Sequence, residues 1–212
     1  MTIKHHPEEA TLMAYATGNL PEAFNLVIAA HISLCDQCRA TVEACDAVGG
    51  SLLAQDDAVA MSDDSLAKVM ARLDDAPPPM PRKNFGGIFP APLQTYVGGD
   101  LDAVNWRPIG MGVKQAVLTT SSEASARLLR VPGGAAIPDH SHRGTELTLV
   151  LQGAFVDEQD RFSRGDLEVA DGSITHTPTA VPGEDCICLI VTDAPLAFKG
   201  LIPRVVQKFA KL

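Results

Sequence analysis

The spacing of apolar residues divides the chain into two halves. In the first half, apolar positions recur at helical intervals in four short runs, each bounded by residues that start or stop helices. The predicted starts are Pro7, Pro21, Asp36 and Ser62. Because helices this short are marginal in water on their own, the first half is predicted to be a small bundle of about four helices that needs additional stabilisation.

In the second half, the periodicity is that of strands. From about Leu93 onwards, short apolar and β-branched runs alternate with Gly, Pro and Asp. The predicted strands are 113–119, 126–131, 146–156, 166–169 and 186–191. Runs of this length and spacing are typical of an antiparallel sandwich or barrel. Cys186 and Cys188 alternate in the last run and are predicted to be core residues on one face, with redox sensing as the alternative.

A proline-rich segment separates the two halves. Residues 76–92 contain six prolines and the pair Gly86-Gly87, which predict an extended linker that excludes regular helix. The predicted organisation is therefore an α + β chain of two domains. The helical domain covers 1–75, the linker 76–92, and the antiparallel β domain 93–212.

The composition is that of an ordinary globular protein, with 46% hydrophobic and 20% charged residues. The formal net charge of -9 argues against direct nucleic-acid binding, which needs a basic surface, and is compatible with a basic protein partner. The sequence has neither an apolar run long enough to cross a membrane nor a signal-peptide core, so a cytoplasmic location is predicted. The odd count of five cysteines favours metal ligands and free thiols over a disulfide framework.

A His-x-x-x-Cys-x-x-Cys motif lies where the second predicted helix meets the third. On helical turns, this spacing places His31, Cys35 and Cys38 on one side of the backbone. Two thiolates and an imidazole suit a tetrahedral zinc ion. The alternatives are a redox pair or structural cysteines, with His31 capping a helix end. A thioredoxin-like redox motif needs a preceding strand, and none is predicted there.

The fourth ligand of such a site must come from elsewhere in the first half. His5 and His6 are the other histidines of that half, and Cys45 is the other thiol. We predict His6, next to the start of the first helix, and keep His5 as the competing choice. The alternative for both histidines is a solvated N-terminal pair. Cys45 is predicted to be a buried helix residue.

The histidines of the second half fall in one constellation. His140 and His142 alternate, so on an extended strand they point the same way. Glu146 follows after a short turn, and His176 comes about thirty residues later. Three imidazoles and a carboxylate form a site for zinc, iron, manganese or nickel, and this ligand set does not select sharply among them. The alternative is a vestigial cluster without metal, although buried unpaired groups of this kind are costly.

The same stretch resembles the cupin family. The first cupin motif is matched at all of its fixed positions, which are Gly134, His140, His142, Glu146 and Gly153. The second motif is degenerate: Gly165 and its metal histidine His176 are present, whereas Asp171, Ser173 and Ala180 stand where the family has Pro, Gly and Asn. The resemblance covers about residues 93–200. It implies a small antiparallel double-stranded β-helix barrel that holds a metal.

The first half resembles a second family, the zinc-binding anti-sigma factors. Their signature is the motif His31, Cys35, Cys38 with a histidine, here His6, upstream of it. Pairing with a C-terminal cupin narrows the resemblance to the ChrR type. It implies that the helical domain binds a group IV (extracytoplasmic-function) sigma factor and keeps it off RNA polymerase. It also implies that the cupin senses a stress signal such as reactive oxygen.

Within that hypothesis, apolar helical residues form either the core or the surface that contacts the sigma factor. The candidates are Leu12, Met13, Phe24, Ile28, Val69, Met70 and Leu73. For most of them the core is the expected place, because periodicity alone does not say what covers a helix face. Acidic residues of this half could steer a basic partner towards the chain.

The competing hypothesis is a cupin metalloenzyme, such as a dioxygenase, isomerase or esterase, with an accessory zinc-binding helical domain. An open metal position could activate water or oxygen in such a site. Glu168, Asp139 and Glu184 are then candidate acids or bases by sequence proximity alone. No substrate-binding signature accompanies them, so we predict a regulator rather than an enzyme.

Overall fold

The structure is a computed structural model that describes residues 2–73 and 86–194 and the backbone of 197–198. Its helices are α1 Glu9–Ala16, α2 Glu22–Ile32, α3 Asp36–Leu53, α4 Ser65–Leu73 and α5 Ala91–Val97, followed by a short 3-10 turn at Leu101–Ala103. Four of the five α-helices begin within a few residues of the positions that helix-start residues predict. The predicted helical half is thereby confirmed.

Twelve strands follow in the described part of the chain. They are β1 Arg107–Gly110, β2 Val113–Leu118, β3 Ser125–Val131, β4 His140–Ser141, β5 Glu146–Gln152, β6 Ala154–Val156, β7 Arg161–Ser163, β8 Leu167–Ala170, β9 Thr175–His176, β10 Thr179–Ala180, β11 Cys186–Thr192 and β12 Ala197–Phe198. Six form an antiparallel sheet in the order β1-β2-β3-β11-β5-β8. Two three-stranded sheets, β10-β6-β7 and β12-β4-β9, complete an antiparallel β-sandwich, which confirms the predicted fold class.

Helix α2 joins the two halves. Its sequence is apolar on almost every side, and such a helix must be buried all round. Its buried apolar residues are Ala23, Phe24, Leu26, Val27, Ile28 and Ala30. One face packs on α1 and α3, and the other lies against β3, β5 and β11 of the large sheet. The helical half and the sheet therefore share one hydrophobic core. The domain boundaries at residues 75 and 92 stay a prediction.

One expectation next to the proline-rich segment is wrong. Residues 91–97 form helix α5, although strand periodicity was expected to begin at about Leu93. Pro92 is tolerated because it lies in the first turn, where its missing N–H has no helical partner to lose. Leu93 is fully buried, and α5 packs against α2. Residues 76–85 of the predicted linker lie outside the described part of the chain.

Glycines behave differently in the two halves. Helix α3 runs without a break through Gly49 and Gly50. By contrast, the strand predicted at 146–156 is interrupted at Gly153, whose φ of +69° is costly for other residues. A Cβ on Gly153 would lie 2.8 Å from the carbonyl oxygen of Asp185, so the turn between β5 and β6 requires glycine.

The apolar candidates divide between core and surface. Leu12, Phe24 and Ile28 are buried, as expected. Four others, for most of which the core was expected, are each more than half exposed: Met13, Val69, Met70 and Leu73. The last three share an apolar side of α4 with Leu66, which is 73% exposed. Cys45, expected to be buried, is half-buried. Helical periodicity located the apolar face of α4 correctly but could not indicate that nothing in the described chain buries it.

Two candidate metal centres

The first cluster lies where α2 ends and α3 begins. His31 is in the last turn of α2, Cys35 is the N-cap of α3, and Cys38 is in the first turn of α3. His6 reaches the same place from the extended segment before α1. One donor atom from each of these four residues lies within 4.8 Å of every other. The structure therefore brings together all four predicted ligands of the first site.

The donor atoms of this first cluster have the spacing of a tetrahedral site. The Nδ1 atom of His6 lies 3.4 Å from the Sγ of Cys35 and 3.3 Å from the Sγ of Cys38. The Nε2 atom of His31 lies 3.3 Å from the Sγ of Cys38. In a tetrahedral zinc site, the usual bond lengths separate a sulfur from a nitrogen by about 3.5 Å. Both the donor set and its spacing therefore fit a zinc ion.

Hydrogen bonding and burial prepare His31 to act as a ligand. Its Nδ1 donates to the carbonyl oxygen of Gly165 at 3.0 Å, which leaves the lone pair of Nε2 facing the thiols. Burial lowers the pKa of His31 to about 4, so the ring is neutral at pH 7. Burial, helped by the neighbouring Cys35, raises the pKa of Cys38 to about 12. Without a cation, the Cys38 thiol therefore keeps its proton.

The two N-terminal histidines have different surroundings. His6 faces the thiols, whereas the ring of His5 lies 4.4 Å from that of Phe162. The Nε2 of His5 is 3.1 Å from a carboxylate oxygen of Asp160. The structure thus places His6, and not the competing His5, in the first cluster.

The second cluster lies inside the β-sandwich. His140 is on β4, His142 follows it, Glu146 begins β5, and His176 is on β9, where it is paired in register with His140. All four side chains are buried, and their donor atoms lie within 4.8 Å of one another. The Nε2 atoms of His142 and His176 are 3.2 Å apart. All four predicted ligands of the second site are therefore brought together as well.

Two buried atoms of the second cluster fit a cation. The Oε2 of Glu146 and the Nδ1 of His142 have no hydrogen-bond partner among the described residues. Leaving such atoms unpaired is costly. The Nδ1 of His140, by contrast, donates to the carbonyl oxygen of Pro138 at 2.9 Å, so the lone pair of the neutral ring lies on Nε2. Three nitrogens and a carboxylate are a donor set for zinc or for iron, manganese or nickel.

The electrostatics of the second cluster differ from residue to residue. Burial lowers the pKa of His140 and of His142 to about 4. Burial, reinforced by the charge of Glu168, raises the pKa of Glu146 to about 7. For His176, burial acts to lower the pKa, but bonds to Glu168 and Asp157 outweigh it and raise the pKa to about 9.

Two carboxylates support His176 from outside the predicted ligand set. The Nδ1 of His176 donates to Asp157 at 3.0 Å, and an oxygen of Glu168 lies at the same distance. Such partners orient a ligating ring. Sequence proximity suggested Glu168, but Asp157 was missed because it lies in the short β6–β7 hairpin, where an aspartate is expected as a turn residue. The other two candidate acids, Asp139 and Glu184, are in neither cluster.

A largely apolar cavity of about 320 Å³ adjoins the second cluster. His140, Glu146 and His176 contribute to its wall. Cys186 and Cys188 also line it, with their sulfurs 3.6 Å apart. Both thiols are buried, which confirms their prediction as core residues on one face. The hydrogen bond that the Cys188 thiol shares with Cys186, together with burial, raises the pKa of Cys188.

Comparison with known proteins assigns the family. Residues 94–195 match the family described as the ChrR Cupin-like domain. Over its whole length the chain is 57% identical to the anti-sigma-E factor ChrR of Cereibacter sphaeroides, covering 100% of that protein. The chain belongs to the ChrR family of anti-sigma factors. The predicted resemblance is therefore confirmed, and a ChrR-type protein is a regulator rather than an enzyme.

A solved structure of a ChrR protein has the same architecture. It is the crystal structure of Rhodobacter sphaeroides SigE in complex with the anti-sigma ChrR. The match covers 91% of this chain and 100% of the ChrR chain, with 59% sequence identity and a TM-score of 0.80. In the described part of this chain, no helix is both long and apolar enough to span a membrane.

Proposed function

We propose that this chain is an anti-sigma factor that binds a group IV (extracytoplasmic-function) sigma factor and blocks its binding to RNA polymerase. The observation that carries the proposal is full-length identity of 57% to a ChrR protein, together with a ChrR structure solved in complex with SigE. Its site of action is then the cytoplasm, where the polymerase is. The chain inhibits transcription without touching nucleic acid, in keeping with its net charge of -9.

The surface that binds the sigma factor is the apolar side of α4. Its side chains are Leu66, Val69, Met70 and Leu73. All four are more than half exposed, and contiguous exposed apolar side chains mark interaction surfaces. Leu52 and Leu53, at the end of α3, are also exposed. Burial against the sigma factor removes these side chains from water.

A zinc ion held by His6, His31, Cys35 and Cys38 gives the helical half its shape. The four ligands come from three separate segments: the N-terminal extended stretch, the end of α2 and the start of α3. When bound, the ion would fix the crossing of those segments, as structural zinc does in small domains. The buried Cys38 must lose its proton to bind, because burial raises the pKa of its thiol to about 12.

The cupin cluster of His140, His142, Glu146 and His176 holds a second divalent metal, zinc or one of iron, manganese and nickel. We assign to this domain the sensing of a stress signal, such as reactive oxygen, that releases the sigma factor. The adjoining cavity of about 320 Å³ gives a small molecule access to the cluster wall. Asp157 and Glu168 hold the ring of His176 in place.

The test is co-purification of the full-length chain with its sigma factor, followed by transcription from a promoter that depends on that factor. We expect a stable complex and inhibition, and loss of both when Cys35 and Cys38 are replaced by alanine. Replacement of Cys186 and Cys188, two buried thiols of the cupin, is the matched control. If the chain forms no complex with any group IV sigma factor, the proposal is wrong. If the Cys35 and Cys38 variant still binds, only the role of zinc is wrong.

A further inference from the structure

The cupin touches the first metal centre through a turn between β7 and β8. The carbonyl oxygen of Gly165 accepts a hydrogen bond from the Nδ1 of His31 at 3.0 Å. The Oδ1 of Asp166 accepts hydrogen bonds from the backbone N–H groups of Lys4 at 2.7 Å and His5 at 3.1 Å. The N–H of Leu167 donates to the carbonyl oxygen of His5 at 3.1 Å. Three consecutive cupin residues thus contact the N-terminal centre. Gly165 bonds to the predicted ligand His31, and the next two residues bond to residues 4–5, which directly precede the predicted ligand His6.

The turn is itself firmly built. Asp166 is buried, and its second carboxylate oxygen accepts a hydrogen bond from the N–H of Ser163 at 2.8 Å. Gly165 and Asp166 are bonded through their backbone to Val150 on β5. A Cβ on Gly165 would lie 2.7 Å from the Cδ1 of Ile3, so the N-terminal segment packs where a side chain would otherwise be. The contact between this turn and the N-terminal segment is therefore closely packed and depends on glycine at position 165.

The next residue along the strand reaches the other metal centre. Glu168 follows Leu167 on β8, and its Oε1 lies 3.0 Å from the Nδ1 of His176. Both the Glu168 and His176 side chains are buried. Because the interior is close-packed, a displacement of His176 would also displace the Glu168 side chain. Four consecutive residues, 165–168, therefore contact the N-terminal cluster at one end and the cupin cluster at the other.

We propose that the stretch Gly165–Glu168 sets how tightly the N-terminal centre holds its metal and transmits changes at the cupin cluster to it. Gly165 positions His31, and Asp166 positions the segment that carries His6. Through Glu168, a change at His176 then alters the affinity of a metal centre that lies outside the cupin. The inference rests on the N-terminal metal site proposed above, and it makes Asp166 and Glu168 positioning residues.

The first test measures Co²⁺ binding to the full-length, metal-stripped chain. Thiolate-to-cobalt charge-transfer absorption reports the cysteine site alone, because the cupin cluster offers only nitrogen and oxygen donors. We expect Asp166→Ala to weaken cobalt binding at the cysteine site by about 10–100-fold, as the loss of groups that orient ligands does elsewhere. Asp160→Ala is the control, because Asp160 is exposed and touches the same segment only through the His5 side chain. Equal affinity of the two variants, within about twofold, overturns the positioning role.

The second test concerns transmission. We expect Glu168→Ala to shift the cobalt affinity of the cysteine site severalfold. Glu184→Ala should leave it unchanged, because Glu184 is an exposed cupin carboxylate that lies in neither candidate cluster. Equal effects of these two variants overturn the transmission. A wild-type chain without thiolate–cobalt absorption instead overturns the metal site itself, so the two failures are distinguishable.

If Asp166→Ala does not fold, hydrogen exchange of the wild-type chain tests the same contact. In the wild-type chain loaded with zinc, the amides of Lys4 and His5 should exchange slowly, because both are bonded to a buried carboxylate. Exchange at the rate of free peptide would overturn the proposal, since the turn would then not hold the segment.

Discussion

The two candidate metal centres differ in donor chemistry and in what surrounds them. The N-terminal centre has two sulfurs and joins three short segments, whereas the cupin centre has nitrogen and oxygen donors on the wall of a cavity. The cupin strands are already tied by ladders of backbone hydrogen bonds, such as the seven-residue pairing of β3 with β11. We infer from this difference that an ion in the first centre would tie short segments together, whereas an ion in the second centre would be open to a small molecule in the cavity.

The two regions also differ in how they treat their apolar surface. In the large sheet, β5 is buried at six of its seven positions, because the sandwich and α2 cover it. Helix α4 has no buried residue at all, although its apolar residues are spaced as on one face. One region buries its apolar residues within the chain, whereas the other exposes them in the described structure, as expected of an interaction surface.

The largest expected effect contrasts buried thiols of the two regions. Replacing Cys38 with serine should abolish thiolate–cobalt absorption and unfold the helical half, because structural zinc contributes on the order of 10 kcal/mol to folding in small domains. Cys188→Ser is the matched control, since this thiol is also buried but belongs to no candidate metal cluster. That change should cost about 1–3 kcal/mol, the penalty of a buried polar group. Urea unfolding followed by circular dichroism measures both, and equal losses would contradict the structural role of the first centre.

The next effect concerns the exposed apolar surfaces. Replacing both Val69 and Leu73 with aspartate should weaken sigma-factor binding by at least about 100-fold, because two charges would enter an apolar interface. The melting temperature should hardly change, since both side chains are exposed in the free chain. Val117→Asp, on an equally exposed position of β2, should leave binding intact. Isothermal titration calorimetry measures the affinity of each variant for the sigma factor. Unchanged affinity of the α4 variant would show that this helix is not part of the interface.

A smaller effect is expected at the support of the cupin centre. Asp157→Asn should weaken metal binding at the cupin by about 10-fold, because Asp157 accepts the Nδ1–H of His176 and holds the ring in place. Asp160→Asn on the same hairpin does not touch the cluster and is the control. Competition with a chelator of known affinity measures the change. Identical metal retention by the two variants would show that the Asp157 carboxylate plays no part in holding the ligand.

The smallest effect is a dependence of metal binding at the cysteine site on pH. Burial raises the pKa of Cys38 to about 12, so this thiol releases a proton on metal binding at any pH between 6 and 8. Each released proton makes affinity rise tenfold per pH unit. His31 releases none, since its pKa is lowered to about 4 and the ring is already neutral. Cobalt affinity at the cysteine site should therefore rise at least about tenfold per unit, and a flat profile would exclude Cys38 as a ligand.

Both ligand sets could be predicted because their spacing is local. His31, Cys35 and Cys38 are one and two helical turns apart, and His140 and His142 alternate on a strand. His6 was predicted from its place beside the start of the first helix, and the structure brings all of these residues to their clusters. The helical half and the β half were predicted for the same reason, since 3.6- and 2-residue periods are properties of short stretches.

What escaped prediction depends on long-range contacts. The exposure of α4 follows from what does not pack on it, which periodicity cannot encode. Helix α5 was missed because Pro92 was taken as a helix breaker and not as a first-turn residue. The bond from His31 to Gly165 joins residues 134 positions apart, and nothing in either neighbourhood indicates the other. Asp157 was likewise missed because its partner His176 comes from a different hairpin.

The most direct test of the central claim is a titration of the metal-stripped, full-length chain with Co²⁺ in the presence of its sigma factor. We predict that sigma-factor capture rises in step with thiolate–cobalt absorption, because the ion on His6, His31, Cys35 and Cys38 shapes the region that binds. Capture should be complete when the cysteine site is filled, whatever the occupancy of the cupin centre. Full capture by the chain while its cysteine site is still metal-free would contradict the account.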